Sequence, residues 1–93
     1  MDLPLISQLR SRLESILLVL DSPASVESLA RALGAERDVV SDCLRSIQRE
    51  LDSRGSGIDL RETQEGWRFY TRTENAAAVE EFLLDGAQTK LSR

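Results

Sequence analysis

Ser41, Cys43 and the carboxylates around them are the side chains that could carry covalent or acid–base chemistry, and each lacks what that chemistry needs. A serine or cysteine nucleophile has to be activated by a neighbouring base, and the chain has no histidine. Cys43 also falls on the apolar side of a helical pattern, where a thiol acts as a small hydrophobe and keeps its proton. One cysteine cannot close an internal disulfide, and without histidine the soft-ligand set for zinc is nearly empty. Gly55-Ser56-Gly57 precedes a strand pattern instead of opening a helix, so it does not form a phosphate-cradling turn. These residues point away from an enzyme and imply no cofactor and no metal.

Arginines are the remaining polar candidates. Arg45 and Arg49 lie on the outer side of a third helical segment, and Arg61, Arg68 and Arg72 on the outer face of a hairpin. These five are the residues that would touch DNA phosphates in a groove-reading domain. The same helical face carries Arg37, Asp38, Ser41, Asp42 and Asp52, so its charges cancel. Asp42 and Arg45, and Arg49 and Asp52, stand three apart and can pair on the helix surface. The hairpin sets three arginines against Asp59 and Glu65. With 12 basic and 16 acidic residues the net charge is −4, the wrong sign for general attraction to nucleic acid or an anionic membrane.

Four helical segments and one hairpin position these groups. Leu5, Ile6, Leu9, Leu13, Ile16, Leu17 and Leu20 share one arc of a first helix, which Asp21-Ser22-Pro23 stops. Ser25 is placed to cap a short second helix with Val26, Leu29, Ala30 and Leu33 inward, and Gly34 to end it. The third helix has Val39, Val40, Cys43, Leu44, Ile47 and Leu51 on its core side, and Ser53-Arg54-Gly55-Ser56-Gly57 breaks it. Residues 57–72 alternate as two strands, with Glu65-Gly66 expected as a two-residue turn that pairs Glu62 with Phe69. That register gathers Ile58, Leu60, Trp67 and Phe69 on the core face and leaves Asp59, Arg61, Arg68, Tyr70 and Arg72 outward. Thr73 can cap a last helix with Ala76, Val79, Phe82 and Leu83 inward, closing at Asp85-Gly86.

Three helices, a two-stranded wing and a C-terminal helix make an α+β, mainly helical, winged helix-turn-helix domain over residues 1–86, with residues 87–93 read as a linker or truncated end. Ninety-three residues give one domain, which buries only roughly 60–65% of the surface its unfolded chain exposes. Association is one way to add burial. Apolar positions outside the core arcs are Leu18 and Val19 on the first helix and Ala77 and Leu84 on the last, and these are the candidate protein-interface residues. The longest apolar run, Ile16 to Leu20, is far short of a membrane span, Asp2 stands where a secretory signal is basic, and cysteine usage suits a reducing compartment, which together predict a cytoplasmic protein.

The residues also resemble a known family. Leu9-Arg-Ser-Arg-Leu-Glu-Ser-Ile-Leu-Leu-Val-Leu20 is similar to the opening helix of the segregation and condensation protein B (ScpB) family, with Ser15 where alanine is usual. Pro23-Ala-Ser-Val-Glu-Ser-Leu-Ala30 is similar to the family's Pro-Val-Ser-x2-Glu-Leu-Ala segment. Arg54-Gly55-Ser56-Gly57-Ile58 and Glu65-Gly-Trp-Arg-Phe-Tyr-Thr-Arg72 resemble its two wing strands, with Ser56 replacing an arginine and Glu65 a glycine. The Lys90-Leu-Ser-Arg93 ending resembles the point where the family's second winged helix begins, which makes the chain look like an excised N-terminal domain.

The resemblance implies a non-enzymatic scaffold of the bacterial SMC condensin complex, acting in chromosome condensation and segregation and associated with the nucleoid through that complex. It implies a homodimer formed through this domain, a kleisin partner, ScpA, and through the kleisin the SMC ATPase heads. Much of the kleisin grip in that family belongs to the second domain. The competing reading is a winged-helix transcription regulator that binds DNA through Arg45, Arg49, Arg61, Arg68 and Arg72, and the charge balance of that surface speaks against it.

Overall fold

The computed structural model describes the backbone of residues 5–91 and the side chains of residues 8–85. Three helices come first: α1 (Leu5–Val19), α2 (Val26–Leu33) and α3 (Arg37–Ser53). The wing strands β1 (Ile58–Thr63) and β2 (Gly66–Thr71) follow, then a 3-10 turn (Thr73–Asn75) and α4 (Ala76–Leu91). Order and type of the elements are those of a winged helix-turn-helix, as the sequence predicts.

Local signals set the helix ends. The Ser25 hydroxyl accepts a hydrogen bond from the Ser28 N–H at 3.1 Å, which satisfies one of the free amides of the first turn of α2. Gly34, at φ 63°, closes α2, with the Ala35 N–H reaching back to the Ala30 carbonyl at 3.0 Å. The end of α3 repeats this device: Gly55 is left-handed, its N–H donates to the Asp52 carbonyl at 3.2 Å, and the Ser56 N–H donates to the Leu51 carbonyl at 3.0 Å.

One aliphatic core joins α1, α2, α3 and the wing. Leu13 and Leu17 from α1, Leu29 and Ala30 from α2, Val40, Cys43, Leu44, Ile47 and Leu51 from α3, and Leu60 and Trp67 from the wing are buried together. Leu9, Ile16, Leu20, Val26, Leu33 and Phe69 pack around them. Leu5 and Ile6, also expected inward, lie outside the described side chains. Val39 does not belong to the core: it is 43% exposed, because α3 turns its Val40, Leu44 and Ile47 stripe inward and carries Val39 to the border.

The wing has the expected core face and a different register. Glu62 pairs with Trp67, Leu60 with Phe69 and Ile58 with Thr71. The turn is therefore Gln64-Glu65, not Glu65-Gly66. The shift is by two residues, and since strand side chains alternate with period two it leaves every side chain on its predicted face. Thr63 shapes the turn, its hydroxyl donating to the Gly66 carbonyl at 3.1 Å and accepting from the Glu65 N–H at 3.2 Å. Ile58, on the core face of β1, lies at the outer end of the hairpin beyond the core and is exposed.

Helix α4 departs most from expectation. It runs through Asp85-Gly86 to Leu91, since glycine costs a helix interior about 1 kcal/mol but does not by itself end it. Its expected inward residues Ala76, Phe82 and Leu83 are exposed and only Val79 is half-buried. The stripe has core spacing, but the core of α1, α2, α3 and the wing is complete without it.

Candidate interaction surface

The arginines of α3 and the wing are mostly engaged within the domain. Arg45 Nη2 lies 2.8 Å from Glu62 Oε1, and its guanidinium sits 4.8 Å from the centroid of the Trp67 ring, so it ties α3 to the wing. Arg72 is largely covered. Its Nη2 is 2.7 Å from Asp52 Oδ1, its Nε donates to the Ser56 carbonyl at 2.9 Å, and its Nη1 is 3.6 Å from Asp59 Oδ1. The hydrogen bond it donates to Asp52 holds this guanidinium's pKa above its ordinary value. Arg61 pairs with Asp59 at 3.3 Å and stacks 4.3 Å from the Tyr70 centroid.

The expected pairs within α3 do not form. Arg45 is taken by Glu62 and Asp52 by Arg72, because the wing lies against this side of α3 and offers fixed partners that an exposed helix surface cannot. Among the described residues Arg49 and Arg68 have no carboxylate partner, and Arg68 only approaches Tyr70, at 5.8 Å. Two separate unpaired arginines do not make a phosphate-tracking stripe. Of the five, Arg45, Arg61 and Arg72 are structural ties.

Polar chemistry is equally sparse inside. The Cys43 thiol is buried, and desolvation pushes its pKa above the ordinary 9.0, with Arg10 lowering and Glu14 raising it by smaller amounts. That environment keeps it protonated and inert. Trp67 is 1% exposed, and its Nε1 has no hydrogen-bond partner. Among the described residues no group of three or more histidine, cysteine, aspartate or glutamate side chains could hold a metal ion, and no helix is long and apolar enough to cross a membrane.

Apolar surface is the feature left over. Leu18 and Val19 are 74% and 76% exposed at the end of α1, and Ile58, at the end of the wing, is exposed too and lines a groove with Leu18. Leu18, Leu20, Ile58 and Phe69 line an open groove of about 280 Å³ between α1 and the hairpin, with Arg68 on its wall. On α4, Phe82, Leu83 and Leu84 are exposed, as is Ala77. Patterning singled out Leu18, Val19, Ala77 and Leu84; it missed Ile58, Phe82 and Leu83, whose strand and helix spacing is that of core residues. Their surplus showed only in the number of apolar stripes relative to the size of the domain.

A family model described as segregation and condensation complex subunit ScpB matches residues 11–93. Segregation and condensation protein B of Myxococcus xanthus is 33% identical over 76 residues, 82% of this chain and 23% of that protein. The protein of the same name from Moorella thermoacetica is 33% identical over 75 residues, 81% of this chain and 38% of that protein. The chain thus spans less than half the length of these curated relatives. The crystal structure of ScpB from Mycobacterium tuberculosis superposes with a TM-score of 0.86 at 45% identity, covering 94% of this chain and 54% of that one. A crystal structure of a dimer of the ScpB N-terminal domain complexed with ScpA peptide has the same fold, with a TM-score of 0.77 at 18% identity over 85% of this chain and 92% of that one.

Proposed function

The chain belongs to the ScpB family of segregation and condensation complex subunits, and we propose that it is a non-enzymatic dimerisation module of this accessory subunit of the bacterial SMC–kleisin complex. In this reading the domain pairs with a second copy, engages a kleisin of the ScpA type and through it the SMC ATPase heads, and acts in the cytoplasm, at the nucleoid, in chromosome condensation and segregation. The observation that carries the reading is the contrast between two surfaces. The face that a DNA-binding winged helix would lay on phosphates spends Arg45, Arg61 and Arg72 on internal carboxylates, whereas Leu18, Val19, Ile58 and three residues of α4 leave large apolar side chains in water. The similar domain crystallised as a dimer with an ScpA peptide supports the same assignment. Light scattering across protein concentration, with and without duplex DNA, tests it. A dimer mass at micromolar concentration that DNA leaves unchanged is expected; a monomer at high micromolar concentration overturns the dimer.

A further inference from the structure

Helix α4 and the groove between α1 and the wing are both unfilled, and they match. Val79, Phe82 and Leu83, three and four apart, lie along one face of α4, the spacing of a helix that seats on another surface. Phe82 and Leu83 are exposed. The groove, about 280 Å³, presents Leu17, Leu18, Leu20, Ile58 and Phe69, and Arg68 stands on its wall. Glu80 borders the apolar stripe of α4, and among the described residues neither it nor Arg68 has an ion-pair partner, so each element carries the charge the other lacks. The root of α4 follows β2 directly through the 3-10 turn, which brings the helix out beside Ile58, the partner of Thr71.

We propose that α4 of one copy lies in the α1–wing groove of a second copy, with Phe82 and Leu83 against Leu18, Ile58 and Phe69 and Glu80 near Arg68, and that the second α4 returns the same contact. This rests on the dimer reading above and specifies its contact. The arrangement is two-fold, so each chain supplies one helix and one groove and both apolar surfaces are covered at once. It places Leu18 opposite the partner's α4, not on the symmetry axis against its own copy.

Cysteine pairs read this out in the 93-residue chain, with the buried Cys43 left in place and wild type as the control for its silence. Leu18→Cys and Phe82→Cys chains are mixed under mild oxidation, and circular dichroism checks that each stays folded. A disulfide between a Leu18→Cys chain and a Phe82→Cys chain is expected, with little between like chains. A Leu18→Cys chain that links chiefly to itself overturns the exchange and puts Leu18 on the axis. A doubly substituted chain that closes a link within one copy also overturns it, because α4 then covers its own groove. Phe82→Asp should weaken the dimer at least about tenfold; a dissociation constant within twofold of wild type overturns the contact. Arg68→Glu and Glu80→Arg should each weaken it about two- to fivefold and restore it when each is present on both copies together. A dimer by light scattering that shows none of these effects refutes the exchange and leaves the dimer standing, whereas a monomeric wild type refutes the dimer itself.

Discussion

Ala24 and Trp67 are joined by a single antiparallel β-bridge at the edge of the two-stranded wing. The Ala24 N–H donates to the Trp67 carbonyl at 3.0 Å and the Trp67 N–H donates to the Ala24 carbonyl at 2.8 Å. The linker between α1 and α2 thereby pairs with β2, which pairs in turn with β1. This explains Gly66, which sits next to the bridge at φ 138°. A Cβ there would lie 2.3 Å from both the carbonyl carbon and the oxygen of Ala24, so the glycine serves the approach of two backbones and not the hairpin turn.

Gly66→Ala is therefore expected to destabilise the domain by about 3 kcal/mol or more, from a strained backbone plus a clash against backbone atoms that cannot swing away. Denaturant melts check this. Glu65→Gly, at the turn itself, should shift stability far less, and a larger effect there would return the glycine requirement to the turn.

Trp67→Ala should cost about 3–5 kcal/mol, since its side chain is among the largest fully buried and joins the wing to the helices. Urea unfolding followed by far-ultraviolet circular dichroism measures it. A loss under about 1 kcal/mol would mean that the ring is not buried in solution.

Arg72→Ala should lower the melting temperature without altering the domain's interaction with DNA, because the guanidinium links Asp52, the Ser56 carbonyl and Asp59 inside the fold. Wild type should show no saturable binding to duplex DNA by fluorescence anisotropy at low salt and micromolar protein. A saturable isotherm with a steep salt slope that Arg72→Ala weakens would reassign this arginine to phosphate contact.

The Cys43 thiol should react with a disulfide reagent at least about tenfold more slowly in the folded domain than in denaturant, because burial raises its pKa and blocks access. A raised folded pKa favours the neutral form in the native state. Its contribution to stability is complete below the unfolded value of about 9 and is lost as pH rises through the higher folded value. The stability difference between wild type and Cys43→Ala should accordingly shrink above pH 9, and a difference independent of pH would show that the thiol is not held in an apolar site.

Leu18→Asp should leave a folded monomer, with stability within about 0.5 kcal/mol of an isolated wild-type domain, because the side chain is 74% exposed in one copy and in the proposed dimer would enter a desolvated contact. Sedimentation of the variant decides: a persistent dimer rules out this patch, and an unfolded variant would make Leu18 a core residue.

Periodicity and end signals by themselves determined α1, α2, α3 and the face of each wing strand, because those depend on residues close in sequence. Leu13 and Leu17, or Val40 and Leu44, sit one helical turn apart, and Ser25, Gly34 and Gly55 act within one turn of the helix ends they fix. The charge balance around Arg45 and Arg49, which spoke against DNA, needed only composition and helical phase. Tertiary structure alone decided the rest. The bridge from Ala24 to Trp67 joins residues far apart in sequence, and the pairing of Arg45 and Arg72 on Glu62 and Asp52 depends on how the hairpin lies against α3. Val39, Ile58, Phe82 and Leu83 have the type and spacing of core residues, and spacing only says that a side chain seeks an apolar neighbour. Whether that neighbour belongs to the same chain depends on the volume enclosed by α1, α2, α3 and the wing, which Leu13, Leu44, Leu60, Trp67 and their neighbours already fill.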